Sequence, residues 1–279
     1  MFSEVGFRLV GGDNPLILVP ANVNDRGPYE FILDTGAGTS LLSPRLAERL
    51  GITANGAREG QGAAGKVSVS LATADSLAVG GARRAPMPIA ITAELDRIGA
   101  AVGQPIDGDI GYDFLKAFRV TIDYRKRLVR LVQGSYEAAG PASLLRTEVA
   151  FKLAGPVKPL VLVPAFVNGR GPHTFVVDTG ASATVISPRL ADALQIASTA
   201  PETMTGAGGV MQATVGRATS LVVGGAVLTD LSVVIADFLD DLSRTVGTTL
   251  DGIVGYNFLR NFRVTLDYPN GVLWLMKST

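Results

Sequence analysis

The chain repeats itself. LILVPANVNDRGP at residues 16–28 returns as LVLVPAFVNGRGP at 160–172, and SPRLAERL at 43–50 returns as SPRLADAL at 187–194. IDGDIGYDFLKAFRVTIDY at 106–124 returns as LDGIVGYNFLRNFRVTLDY at 250–268. One offset relates every pair: between the aspartates of the two DTGA stretches it is 178 − 34 = 144 residues. Across residues 16–52 and 160–196, 22 of 37 positions are identical, far beyond chance. The period is also too long for a solenoid repeat. The 279 residues are therefore two copies of one domain, each large enough to own a core. QGSYEAAGPASLLRTEV (133–149) has no strong partner in the first copy and carries Gly and Pro. It marks a linker with a boundary near residue 138, giving domains 1–138 and 139–279.

Within each copy the pattern is short strands and turns. Phe7–Val10 and Leu16–Val23 alternate or run apolar, Arg26-Gly27-Pro28 has turn chemistry, and Tyr29–Leu33 reads as the next strand. Ser43 before Pro44 is an N-cap followed by proline in the first helical turn, opening a helix to Leu50. Gly60–Gly65 is a glycine-rich turn, and Lys66–Leu71 alternates polar with apolar as a half-exposed hairpin strand does. Asp113–Phe118 reads as a short helix, followed by a hairpin of Phe118–Tyr124 and Arg127–Val132. The expectation is an all-β fold with one or two short helices per lobe.

Composition removes several chemistries. There is no cysteine, so disulfides, thiolate nucleophiles and thiolate metal sites are out. His173 is the single histidine; between Pro172 and Thr174 it reads as an exposed turn residue rather than a triad base. Basic and acidic residues balance at 25 each, which gives no electrostatic reason for a nucleic-acid or acidic-membrane partner. No apolar run reaches the ~18–20 residues of a membrane-spanning helix, and MFSEVGFRLVGG lacks the pattern of a signal peptide. Trp274 in VLWLM reads as core or lobe-interface packing, and Arg125-Lys126-Arg127 as a solvated hairpin turn.

A strand ending in Asp-Thr-Gly sets a carboxylate at a sheet edge, with glycine allowing a sharp turn. One such tripeptide is weak evidence; two at matched positions of a duplicated domain are not. A pseudo-twofold axis between the lobes can bring Asp34 and Asp178 face to face. Two carboxyls that close hold one proton over a window of pH. The ionised member takes a proton from water while the protonated one donates to a carbonyl oxygen, with no metal, cofactor or histidine.

Asp34-Thr35-Gly36-Ala37 and Asp178-Thr179-Gly180-Ala181 resemble the active-site signature of aspartic proteases, and DIGYDFL (109–115) and IVGYNFL (253–259) resemble that clan's second signature. Alanine after the glycine and a glycine-rich flap in each copy are most similar to a bacterial retropepsin-like protease, fused as a single-chain tandem form. The resemblance implies two retropepsin-like β-barrel lobes about a pseudo-twofold axis, with the active site between them. It implies Asp34 and Asp178 as the catalytic pair, Thr35 and Thr179 cross-bracing the loops, Gly36 and Gly180 permitting the turn, and Ala37 and Ala181 completing the site. It implies flap tips at Gly62-Ala63-Ala64-Gly65 and Gly206-Ala207-Gly208-Gly209, closing on a peptide bound as an added strand. Asp109, Ile110, Ile253 and Val254 would line the cleft, and Gly111 and Gly255 would let a strand pass beneath the catalytic loops. The implied activity is an endopeptidase acting on extended peptide or protein, with one chain sufficient for catalysis. The sequence leaves cytoplasm, periplasm and secretion open, and the resemblance leans to periplasm or secretion with a leader outside this chain. Without a hydroxyl at Ala37 or Ala181 to stabilise the ionised carboxylate, the expected optimum is mildly acidic, roughly pH 5–6.5.

Asp109 departs from the pattern, since its counterpart Ile253 is apolar. It either adds a third carboxylate that selects a basic or polar side chain or perturbs the pair, or it turns to solvent and pairs with a nearby cation. Two rivals to the protease remain: a catalytically silent member of the fold that binds peptides or proteins, and a latent enzyme with a blocked cleft.

Overall fold

The computed structural model describes residues 1–13, 15–62, 64–134, 146–155 and 158–277. The expected boundary near residue 138 lies outside the described residues.

The second copy shows the lobe architecture most simply. Its strands run in the order Lys152–Leu153, Val161–Val167, Arg170–Val177, Gly252–Val254, Val185–Ile186, Ala226–Ile235, Gly209–Val223 and Ala200–Gly206. Val161–Val167 also pairs with Gly209–Val223, closing the sheet into a barrel. The first copy repeats this order, but its long strand is interrupted into Gly65–Ala74 and Leu77–Val79. The strand equivalent to Ala226–Ile235 is likewise split into Ala82–Arg84 and Met87–Ile91 around Pro86, which has no N–H to give a ladder.

A third sheet joins the lobes. Its order is Phe2–Gly6, Leu128–Val132, Arg119–Asp123, Phe262–Asp267, Val272–Lys277 and Arg146–Ala150. At its centre Thr121 stands opposite Thr265, and 265 − 121 is again 144. The hydroxyls of these two equivalent residues are 2.9 Å apart, so the pseudo-twofold axis passes between them. Alternate residues Val120, Ile122, Val264 and Leu266 are fully buried in a core shared by both copies. The copies are thus one folding unit in energetic terms. Arg119 adds an ion pair across the junction, Nη2 lying 2.7 Å from Oδ2 of the buried Asp267. Its guanidinium stacks 5.0 Å from the Trp274 ring, which places Trp274 at the lobe junction.

Helix Pro44–Leu50 starts where Ser43 Oγ accepts from Leu46 N at 3.2 Å, and Ser187 does the same for Pro188–Ala193. The described residues contain three helices in each copy, more than the one or two expected. The overlooked ones, Glu94–Val102 and Phe238–Val246, bury Leu95 and Leu239, Leu242 and Val246. Two further expectations are corrected. Arg26-Gly27-Pro28 is strand; the turn lies earlier, at Asn24 and Asp25, where φ is 51° and 59°. His173 is also in a strand, half-buried with Nδ1 4.0 Å from Asp251 Oδ2.

Candidate active site

The loops that carry Asp34 and Asp178 leave the ends of Arg26–Leu33 and Arg170–Val177 and are pinned at once. Asp34 N donates to Ile110 O and Asp178 N to Val254 O, both at 3.1 Å. Further on, Tyr112 N and Tyr256 N donate at 2.8 Å to Ala37 O and Ala181 O. Each loop is so close to the strand passing under it that a methyl on Gly111 would lie 2.9 Å from Ala37 O, and one on Gly255 2.2 Å from Ala183 O.

The two loops then hold one another. Thr35 Oγ1 donates to Val177 O at 2.8 Å and accepts from Thr179 N at 3.0 Å. Thr179 Oγ1 donates to Leu33 O at 2.7 Å and accepts from Thr35 N at 3.1 Å. Both threonines are 1% exposed, so water does not compete for these bonds. The brace draws the glycines against the opposite carboxyls. A methyl on Gly36 would sit 2.3 Å from Asp178 Oδ2, and one on Gly180 would sit 2.5 Å from Asp34 Cγ. Only glycine fits at either place.

Asp34 and Asp178 are half-buried, each packed against the other loop's glycine, and both line the cleft. Burial, then the charge of Asp34 and the hydrogen bond to it, hold Asp178 well above the usual carboxylate range. The Gly180 N–H and the Lys158 ammonium act in the opposite sense. The arrangement can hold a proton on one carboxyl, leave the other as a base, and grip a water between them.

A cleft of about 820 Å³ opens above the pair, roofed by two hairpins. The first is Gly56–Gly62 with Gly65–Ala74, and the second is Ala200–Gly206 with Gly209–Val223. Their tips touch: Ala64 N donates to Ala207 O at 2.9 Å, and a methyl on Gly62 would meet Ala207 O at 2.1 Å. Gly208 N donates to Glu94 Oε2 at 2.9 Å, tying the second tip to a helix of the first lobe.

These two lobes carry matching sequence signatures as well. The profile of a family described as aspartyl protease matches residues 19–114 and again 163–258. The chain belongs to the aspartyl protease family. Among solved structures, the aspartic proteinase from Irpex lacteus is similar in fold, with a TM-score of 0.56 and 12% identity. That match covers 100% of this chain and 98% of the fungal one. No curated protein sequence matches the chain.

The residues expected at the flap tips divide by position. Gly62, Gly206 and Ala207 line the cleft, and Gly62 and Ala207 also meet at the contact between tips, which Ala64, Gly65, Gly208 and Gly209 make or flank. Ala63 lies outside the described residues. Asp109 and Ile253 line the cleft beside the aspartates. Ile110 and Val254 do not; they face the other side of their strands and are buried in the core. Asp109 is not at the surface either, being 5% exposed.

Sequence reasoning missed Lys158. It lines the cleft, half-buried, with Nζ donating to Gln61 O of the first flap at 3.1 Å. Burial lowers its pKa, and the charges of Asp34, Asp178 and Asp109 oppose that lowering. Its only sequence signal is that the offset sets it opposite Asn14 rather than another lysine. Also missed was the strut behind each loop. Ser40 Oγ donates to Asp113 Oδ1 at 2.6 Å, and in the second copy Thr184 Oγ1 donates to Asn257 Oδ1 at 2.7 Å. Among the described residues no cluster of His, Cys, Asp and Glu is arranged to hold a metal, and no helix is long and apolar enough to cross a membrane.

Proposed function

We propose that this chain is an aspartic endopeptidase in which Asp34 and Asp178 activate one water molecule. The observation that carries the reading is the reciprocal placement of the two carboxyls, each against the other loop's glycine, beneath two facing flaps. Ionised Asp34 takes a proton from the water, whose oxygen attacks the peptide carbonyl. Protonated Asp178 donates to the carbonyl oxygen as it gains charge, giving a neutral gem-diol. Collapse returns a hydroxyl proton to Asp178 while the amine leaves with the proton held on Asp34. The raised pKa of Asp178 supports its role as the acid.

The substrate is an extended peptide. It fits between the flaps as an added strand, with main-chain bonds for affinity and side-chain pockets for selectivity. Most of the wall is apolar, including Ile32, Leu41, Met204, Val234, Phe238 and Ile253, which favours apolar residues around the cut bond. Because the acid keeps its proton further towards neutrality, activity extends above the strongly acid range.

The test is peptide cleavage across pH 4–7 by the wild type, Asp34→Asn and Asp178→Asn, alongside peptide binding by all three. Cleavage by the wild type and its loss in both variants is the expected result. Binding by all three with no cleavage at any pH would make the chain a peptide-binding member of its family.

A further inference from the structure

Asp109 breaks the symmetry of the cleft. It and Ile253 occupy equivalent positions and both line it, so one side of the site carries an extra acid. In the sheet Asp109 lies beside Ile32 on one strand and Leu41 on the other, and neither offers a hydrogen bond. Its side chain is 5% exposed and Oδ1 has no partner among the described residues. Asp34 follows Ile32 by two residues, its N–H is bonded to Ile110 O, and both carboxyls line the cleft, so Asp109 and Asp34 stand side by side. Three charged or titratable groups repel an ionised form: Asp34 and Asp178 from the catalytic loops and Asp113 from helix Tyr112–Leu115. Lys158, before strand Val161–Val167, is the cation facing this group, and it responds more to Asp34 and Asp178 than to Asp109. Burial and these neighbours hold Asp109 well above the ordinary carboxylate range.

The catalytic pair has a need that such a neutral acid meets. Backbone donors alone favour Asp178 as the ionised member. Asp178 Oδ1 accepts from Gly180 N at 2.8 Å and Ala181 N at 3.2 Å, while Asp34 Oδ1 accepts from Gly36 N at 2.6 Å. An O–H donor on Asp34 evens that number with a stronger kind of bond. We propose that Asp109, in its neutral carboxylic-acid form, is a positioning residue that donates a hydrogen bond to Asp34 and so fixes Asp34 as the base and Asp178 as the acid. The inference rests on the proteolytic reading for its kinetic consequence, but not for its protonation state. It also removes Asp109 as a selector of basic side chains, since a neutral acid bonded to Asp34 carries no charge to offer.

Two variants separate the donor from the mere presence of a polar group. Asp109→Asn keeps an N–H that can reach Asp34, and Asp109→Ile installs what the second copy already holds at Ile253. The acid limb of the kcat/KM profile reports ionisation of the base in the free enzyme. It moves up by about one pH unit in Asp109→Ile, and stays within about 0.3 units of wild type in Asp109→Asn. Equal shifts in both variants, or no shift in either, would overturn the proposal. So would a preference for basic residues at the cut site that both variants lose with the limb unmoved.

A second measurement needs no activity. In 13C-aspartate-labelled wild type, NMR titration assigned with Asp34→Asn and Asp178→Asn shows a carboxyl, absent from both Asp109 variants, that stays protonated well above pH 4–5. Ordinary titration of that carboxyl near 4 would sink the inference whatever the kinetics. If no peptide is cleaved yet the carboxyl keeps its proton, the proteolytic reading fails and the hydrogen-bond assignment stands. The wild-type titration also decides the matter should Asp109→Ile not fold.

Discussion

Thr35→Val tests whether the loop brace carries the join between lobes. The substitution keeps the side-chain shape and removes one hydroxyl. It deletes the bond from Thr35 Oγ1 to Val177 O and the bond from Thr179 N to Thr35 Oγ1. A buried amide N–H and a buried carbonyl lose these partners. Each such group costs about 1–3 kcal/mol, offset by about 1 kcal/mol because a hydroxyl is no longer buried. The net loss is about 1–5 kcal/mol, a sizeable share of the ~5–15 kcal/mol that holds a typical fold. Thr35→Ser keeps both bonds and loses one methyl, costing about 1 kcal/mol. Urea unfolding, with the slope checked for two-state behaviour, reads the difference as a shift in midpoint. The double variant with Thr179→Val loses less than the sum of the singles, because the four bonds share one junction. Activity falls further than stability explains, since displacing the carboxyls by ~1 Å costs about a hundredfold in rate. A Thr35→Val protein within about 0.5 kcal/mol of wild type, or one no weaker than Thr35→Ser, refutes the brace as a source of stability.

Arg119→Met leaves Asp267, 1% exposed, without its guanidinium, and stability drops by about 2–3 kcal/mol after allowing for the partial exposure of the arginine. Its repeat partner Arg263 sits 3.5 Å from Met276 Sδ, so Arg263→Met costs under about 0.5 kcal/mol; equal losses in thermal melts would reject the distinction. Lys158→Met removes a charge that lowers the pKa of Asp178. The acid must be protonated to act, so its proton then persists to higher pH and the alkaline limb of the pH–rate profile moves upward. Lys158→Arg leaves it near wild type, and a limb that moves down in Lys158→Met contradicts the argument. The same variant loses the tie to Gln61 O, and KM rises with it.

Local chemistry makes much of the site legible in the order of residues alone. Ser43-Pro44 announces a helix start because cap and proline act within four residues, and Leu16–Val23 is a strand with the bounds its apolar run suggests. The repeat offset supplies the longer-range information, pairing Asp34 with Asp178 and Thr35 with Thr179. What was misjudged depended on register or on distant partners. Strand side chains alternate, so one step along Gly108–Ile110 separates Asp109 in the cleft from Ile110 in the core. Phe2–Gly6 has only one fully buried residue and is fixed by pairing with Leu128–Val132, far along the chain. Helix Glu94–Val102 did carry Leu95, Ile98 and Val102 at helical spacing, a signal lost among strand patterns. Lys158 belongs to no motif; its meaning comes entirely from three acids that reach it through space.

Joining the copies end to end frees each from having to match itself. In a dimer of identical halves every residue near the axis occurs twice, because the interface must be self-complementary. Two copies of the first half would crowd four acids under the roof, Asp34 and Asp109 from each. Two of the second would set a pair of ammonium groups over two acids. The single chain instead sets Asp109 and Lys158 once each beside the pair Asp34 and Asp178, an arrangement no symmetric pairing of either half can reach. One covalent link thus permits a third carboxyl beside a twofold pair, and with it two aspartates of identical descent in different surroundings.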